Sequence, residues 1–159
     1  MITKKTAYHT IKFLAILAFF ISIYLTYEFY AGTPSKWCQP GVQFDCERLI
    51  NSPYARIDGI FFFLRENLGV NIEGINIPFP VALLAAVVFL GIFWLCSKRE
   101  GKEVILGSIL AISVGFAAYL LSIAVFVLKK FCVFCLILDL IVVLMVVFFC
   151  IARNSSKSI

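Results

Sequence analysis

Charge is what this chain has least of. Asp, Glu, Lys and Arg make up 14% of its 159 residues, against 62% for hydrophobic types. A soluble domain of this length covers its single core with far more charge, so that class is excluded. The basic excess is small, a net +5, and it forms no stripe that would hold nucleic acid. Internal repeats and low-complexity segments are also lacking. No cleavable leader is evident. The apolar stretch after "MITKK" outruns the roughly 7–15 residues of a secretory apolar region, and its exit, "FYAGTPS", has no A-x-A cleavage pattern. That stretch is expected to remain as a helix.

What the chain has in quantity is long apolar runs, with a mean hydropathy of +1.01. Four of them, Ile11–Tyr30, Ile77–Cys96, Val104–Leu128 and Phe131–Ala152, have 20 to 25 residues each. About 20 residues of helix cross a hydrocarbon core of ~30 Å. The expected fold is therefore an all-α integral membrane protein, a bundle of four transmembrane helices forming one domain over residues 1–159.

Lys and Arg counts near the span ends orient it. Lys4, Lys5, Lys12, Lys98, Arg99, Lys102, Arg153 and Lys157 lie on one side, in short segments. Lys36, Arg48, Arg56, Arg65, Lys129 and Lys130 lie on the other, spread over a longer stretch. The denser side is expected to be cytoplasmic, with both termini and the loop 97–103. The connection 31–76 is then extracytoplasmic, and it is too long for a structureless link. Within it "GIFFFLRENLG", residues 59–69, is apolar but too short to span. It is expected to form a short interfacial helix, or a plug on the bundle, and so a lid over the outer helix ends. Pro78 and Pro80 fit a first helical turn of the second span.

Six cysteines sort by side under this topology. Cys96 and Cys150 fall at the inner ends of the second and fourth spans and read as inert thiols or buried apolar groups. Cys38, Cys46, Cys132 and Cys135 share the outer compartment, where disulfides persist. Cys132 is expected in the first turn of the fourth helix, beside Lys129 and Lys130. Unpaired N–H groups, the helix dipole and the two ammonium groups all favour a thiolate there. Cys135 lies three residues on, on the same face and about a turn deeper. One thiol can then meet a water-side partner and the other a lipid-dissolved one, as a redox pair at an interface.

Asp139 continues that face, ~10 Å below Cys132 at 1.5 Å per residue. An ionisable group at such depth is a functional candidate. A quinone accepting two electrons also needs two protons, and a desolvated carboxyl can hold and deliver one; the alternative is an aspartate that fixes helix packing. Between Cys38 and Cys46, "CQPGVQFDC" has a Pro40–Gly41 turn that lets the two bridge. Two pairs on one side suit a relay by thiol–disulfide exchange.

These residues resemble the vitamin K epoxide reductase family, in its prokaryotic quinone-reducing branch. Cys38-x7-Cys46 follows the first span, "CERLINSPYARIDG" places Ser52 six residues past Cys46, and Cys132-x2-Cys135 opens the last helix. The other type of quinone-linked disulfide generator has these pairs in the reverse order. The resemblance implies that a reduced thioredoxin-fold protein passes electrons to Cys38. Cys46 then attacks the Cys132–Cys135 disulfide at Cys132, and Cys135 reduces a membrane quinone, so that disulfides are made for exported proteins. It also implies that Ser52 organises the loop and that Asn76 hydrogen-bonds the quinone, although Asn76 also suits a helix cap. Vertebrate members carry a tyrosine at the position of Asp139, so quinone contacts do not transfer directly. Many bacterial members continue into a fused thioredoxin domain. This chain stops at Ile159, so its partner is expected to be a separate protein. The residues alone also admit a four-cysteine metal site, for which four sulfurs suit zinc, and a scaffold with structural disulfides.

Overall fold

A computed structural model describes residues 4–32, 52–56, 59, 79–97 and 103–155. Among these, four long helices carry the architecture and no strand is present. The first, α1, runs Lys4–Ala31 with no proline or glycine to interrupt it. It stops at Gly32, which takes the left-handed conformation (φ 64°) and donates its N–H to the Glu28 carbonyl at 3.1 Å. Glycine suits that position because it has no Cβ to crowd the carbonyl. The second, α2, is Val81–Ser97. It begins directly after Pro80, whose carbonyl accepts the Leu83 N–H at 3.0 Å. Pro80 therefore precedes the helix and does not lie in its first turn. Its missing N–H costs nothing there, since the first N–H groups of a helix lack intrahelical partners.

The third helix, α3, is Glu103–Ser122, and its N-terminal carboxylate suits the helix dipole. It winds on as a π-helix over Ile123–Leu128. The turn closes at Lys129, which adopts a left-handed conformation (φ 51°) while Lys130 donates its N–H to the Ala124 carbonyl at 3.2 Å. A lysine held there costs about 1–2 kcal/mol relative to ordinary backbone. The last helix, α4, is Val133–Ser155.

Three segments are long and apolar enough to cross a membrane: α1 with 28 residues, α3 with its π extension at 26, and Val133–Asn154 of α4 at 22. α2 is a shorter apolar helix of 17 residues. This is a multi-pass membrane protein. The Lys4 Nζ to Glu103 Oε1 ion pair, 2.6 Å, brings the starts of α1 and α3 to one end. Gly107 of α3 meets the Phe149 ring of α4 there; a Cβ at Gly107 would lie 3.1 Å from it. Successive helices thus alternate in direction. The interfacial helix expected over 59–69, apart from Gly59, lies outside the described residues, as do residues 98–102.

α1 is the centre of the packing, touching α2 and α4 along much of its length. Its buried residues are Ala7, Ile11, Ala15, Ala18, Ser22, Leu25 and Glu28. Steps of three and four hold them on one face. Small side chains dominate this stripe, and without a hydrophobic drive between helices in lipid, close backbone approach is what holds a bundle together. The stripe meets Ile92 and Cys96 of α2, Leu110 of α3 and Met145 of α4 in one core. Phe13, Phe20 and Tyr27 occupy the opposite, exposed face, where the bilayer would solvate them.

Candidate functional site

At the other end of the bundle from the Lys4–Glu103 pair, the link into α4 sets Cys132 as the residue just before the helix. Its sulfur accepts the Cys135 N–H at 3.4 Å, so the thiol takes the place of an N-cap side chain. The Cys132 carbonyl accepts the Leu136 N–H at 3.0 Å, the first turn of the helix. The two cysteines are free thiols in this structure. Cys132 is buried and Cys135 half-buried. Sequence reasoning put Cys132 inside the first turn. It stands one step earlier, where its sulfur rather than its backbone meets the unpaired N–H groups.

Both sulfur-bearing residues border a cavity of about 300 Å³. Asp139 lines it one helical turn below Cys135, and α2 and α3 supply apolar walls through residues such as Val81, Phe89 and Phe116. Ser52 and Tyr54 complete the outer rim. They are held there by a 3₁₀ turn over Pro53–Ala55, closed by the Ala55 N–H to the Ser52 carbonyl at 3.1 Å. An antiparallel bridge between Arg56 and Pro80 ties that turn to the start of α2. Ser52 is itself buried, at 7% exposure. Pockets of this size and apolar character take one small ring system, oriented by a few polar groups.

Ser52, Cys132, Cys135 and Asp139 thus converge on one cavity. Cys38, Cys46 and Asn76 lie outside the described residues. Among the described residues no three His, Cys, Asp or Glu side chains gather as metal ligands; the four-sulfur alternative depends on Cys38 and Cys46. Cys96 is buried in the core beside Ile92. Cys150 is exposed, eighteen residues along α4 from Cys132, or ~27 Å at 1.5 Å per residue.

Two groups at the site were not anticipated. Tyr54 lies inside "NSPYARIDG", where no local pattern sets it apart. Glu28, buried on α1 where the Tyr24 hydroxyl donates to it, is the one acid in the first apolar stretch. Its place three residues after Leu25, on the same helical face, was a signal available in the sequence.

A bundle of membrane helices that opens a Cys-x-x-Cys onto an apolar cavity defines a membrane thiol oxidoreductase. The model of the vitamin K epoxide reductase family matches residues 9–150, nearly the whole chain, and the chain belongs to that family. No curated protein matches it.

Proposed function

We propose that this protein oxidises dithiols outside the cytoplasm and passes their electrons to a membrane quinone. The observation that carries the reading is the meeting of Cys132, Cys135 and Asp139 at one apolar cavity of about 300 Å³. In this reading a separate thioredoxin-fold protein reduces a Cys38–Cys46 disulfide. The Cys46 thiolate then attacks Cys132 in the oxidised Cys132–Cys135 pair, releasing Cys135 as a thiolate facing the cavity. Cys38 attacks Cys46 of the mixed disulfide, which re-forms Cys38–Cys46 and frees Cys132. The Cys132–Cys135 disulfide forms again as the pair gives two electrons to the quinone. Hydrogen bonding of the Cys132 sulfur by the helix N-terminus supports Cys132 as the sulfur released from the mixed disulfide, because it stabilises negative charge there. When bound, the quinone supplies a two-electron acceptor. The apolar walls of α2, α3 and α4 would hold its ring, and Ser52, Tyr54 and Asp139 offer hydrogen bonds to its oxygens. Asn76 would add a further donor. Asp139, reached from the outer rim past Cys135, would deliver a proton to a carbonyl oxygen as electrons arrive. Several cavity-lining side chains are also exposed, Leu84 of α2 and Ile112 of α3 among them. The gap between those helices would admit an isoprenoid tail from the lipid.

The test supplies the purified chain with a reduced thioredoxin-fold protein and with ubiquinone or menaquinone, and follows quinone absorbance. Quinol should form with at least one of them, and little metal should accompany the protein. A chain that oxidises its partner without forming quinol, or that carries a stoichiometric metal ion on its cysteines, would sink the reading.

A further inference from the structure

The cavity wall carries polar groups at two heights. Ser52, Tyr54, Cys132, Cys135 and Asp139 belong to its outer part, and among the described residues one further polar side chain, Ser113 of α3, lines it as well. Its depth follows from the two helices that frame it. Gly107 of α3 and the Phe149 ring of α4 meet near the far end of the bundle, and α3 and α4 run in opposite directions past that contact. At 1.5 Å per residue Ser113 stands ~9 Å from it and Asp139 ~15 Å. Val142, the deepest described residue of α4 on the cavity wall, comes at ~10 Å. Ser113 and Val142 therefore mark the floor. Asp139 lies about one helical turn, ~6 Å, above Ser113 on the neighbouring wall.

The Ser113 hydroxyl is already in use as a donor. It gives its hydrogen to the Ile109 carbonyl at 2.8 Å, so only its lone pairs remain for a ligand. Thr10, Thr26, Ser97, Ser108 and Ser122 make the same bond one turn back, but none of them lines the cavity. An acceptor in an apolar floor favours a ligand that brings a donor. The two redox forms of a 1,4-quinone differ in this respect: the oxygens of the quinone only accept, whereas the hydroxyls of the quinol also donate. Those oxygens stand at opposite ends of one ring, a separation close to one turn of helix. We propose that Ser113 accepts a hydrogen bond from the inner hydroxyl of the quinol while the outer oxygen faces Asp139. The inference deepens the quinone-reducing reading and rests on it. Ser113 is a positioning residue, which transfers neither proton nor electron. The quinone can use it as a donor only by displacing the bond to Ile109, so the site holds the reduced form more strongly. That inequality favours reduction of the bound ring over the reverse reaction.

The test measures binding of both redox forms to the full-length protein in detergent, without air, on a Cys135→Ala background through which no electrons pass. The probes are duroquinone and duroquinol, a tetramethyl-1,4-benzoquinone pair with no tail and no open ring carbon for thiols to attack. Ser113→Ala should weaken duroquinol binding about three- to tenfold, the loss of one neutral hydrogen bond, and leave duroquinone within about twofold. Ser113→Thr keeps the hydroxyl and should restore the quinol affinity. The ratio of the two affinities is taken on one sample, so a partly unfolded variant does not imitate the effect. In turnover by the otherwise wild-type chain, Ser113→Ala should relieve inhibition by added quinol while KM for the quinone holds. An unchanged affinity ratio in Ser113→Ala, whether both affinities hold or fall together, overturns the inference and leaves the quinone reading standing. A background that binds neither form overturns the proposed function, and this inference with it.

Discussion

The two sulfurs of the Cys-x-x-Cys differ in surroundings, and the proposed relay gives them different parts. Cys132 is tied into the helix N-terminus, whereas Cys135 lines the same cavity about a turn deeper, with Asp139 a further turn down. Replacing Cys135 by alanine should abolish quinol formation while leaving the fold, measured by thermal unfolding in detergent, close to wild type. Cys150 provides the control. It is exposed and far along α4, so Cys150→Ala should leave the rate unchanged. Asp139→Asn preserves shape and hydrogen bonding but cannot give up a proton at working pH. General acid catalysis is typically worth ~10²–10⁴-fold, so the quinol rate should fall by about a hundredfold or more and lose its dependence on pH. A rate and pH profile like wild type would return Asp139 to a packing role.

Helix α1 organises the bundle through one narrow stripe, and substitutions on it should act according to size and polarity. Ala15 is fully buried against α2 and α4. Ala15→Leu forces three extra heavy atoms into a packed seam and should cost about 1–3 kcal/mol. Ser22 sits on the same stripe at 0% exposure, and its hydroxyl has no hydrogen-bond partner. Removing an unsatisfied buried hydroxyl relieves a penalty of ~1–3 kcal/mol, so Ser22→Ala should raise the apparent Tm. A lowered Tm for Ser22→Ala would mean that the hydroxyl has a partner and that this account of the stripe is wrong. The spans were legible in the sequence because apolar runs of 20 residues or more report burial in lipid directly. The stripe was less so: α1 is apolar nearly all round, and periodicity cannot separate a face toward protein from a face toward lipid when both are greasy. The start of α2 was blurred by two prolines, each of which suits a cap or a first turn equally well.

At the scale of the whole molecule, the site was legible where chemistry is concentrated in short spacing. Cys132, Cys135 and Asp139 recur at three and four residues and could only line one helix face, while Ser52 and Tyr54 reach the cavity through a turn and a bridge that no local pattern announces. The same scale sets what the proposed reaction needs from the membrane. The ends of α1 and α3 joined by Lys4 and Glu103 lie opposite the Cys132 end, so the redox pair and the last turn of α4 lie at opposite ends of the bundle. Under the proposed topology the side richer in Lys and Arg is the cytoplasmic one, and Cys38 lies on the other. A cysteine-free variant carrying only Cys38 should therefore react with a membrane-impermeant maleimide in intact cells. The same background with Ser156→Cys should react only after permeabilisation. If both positions label from outside, the helix count or direction is wrong. If Cys38 labels only after permeabilisation, the outer cysteines face the reducing cytosol, where a disulfide relay would not persist, and the electron route proposed here could not operate.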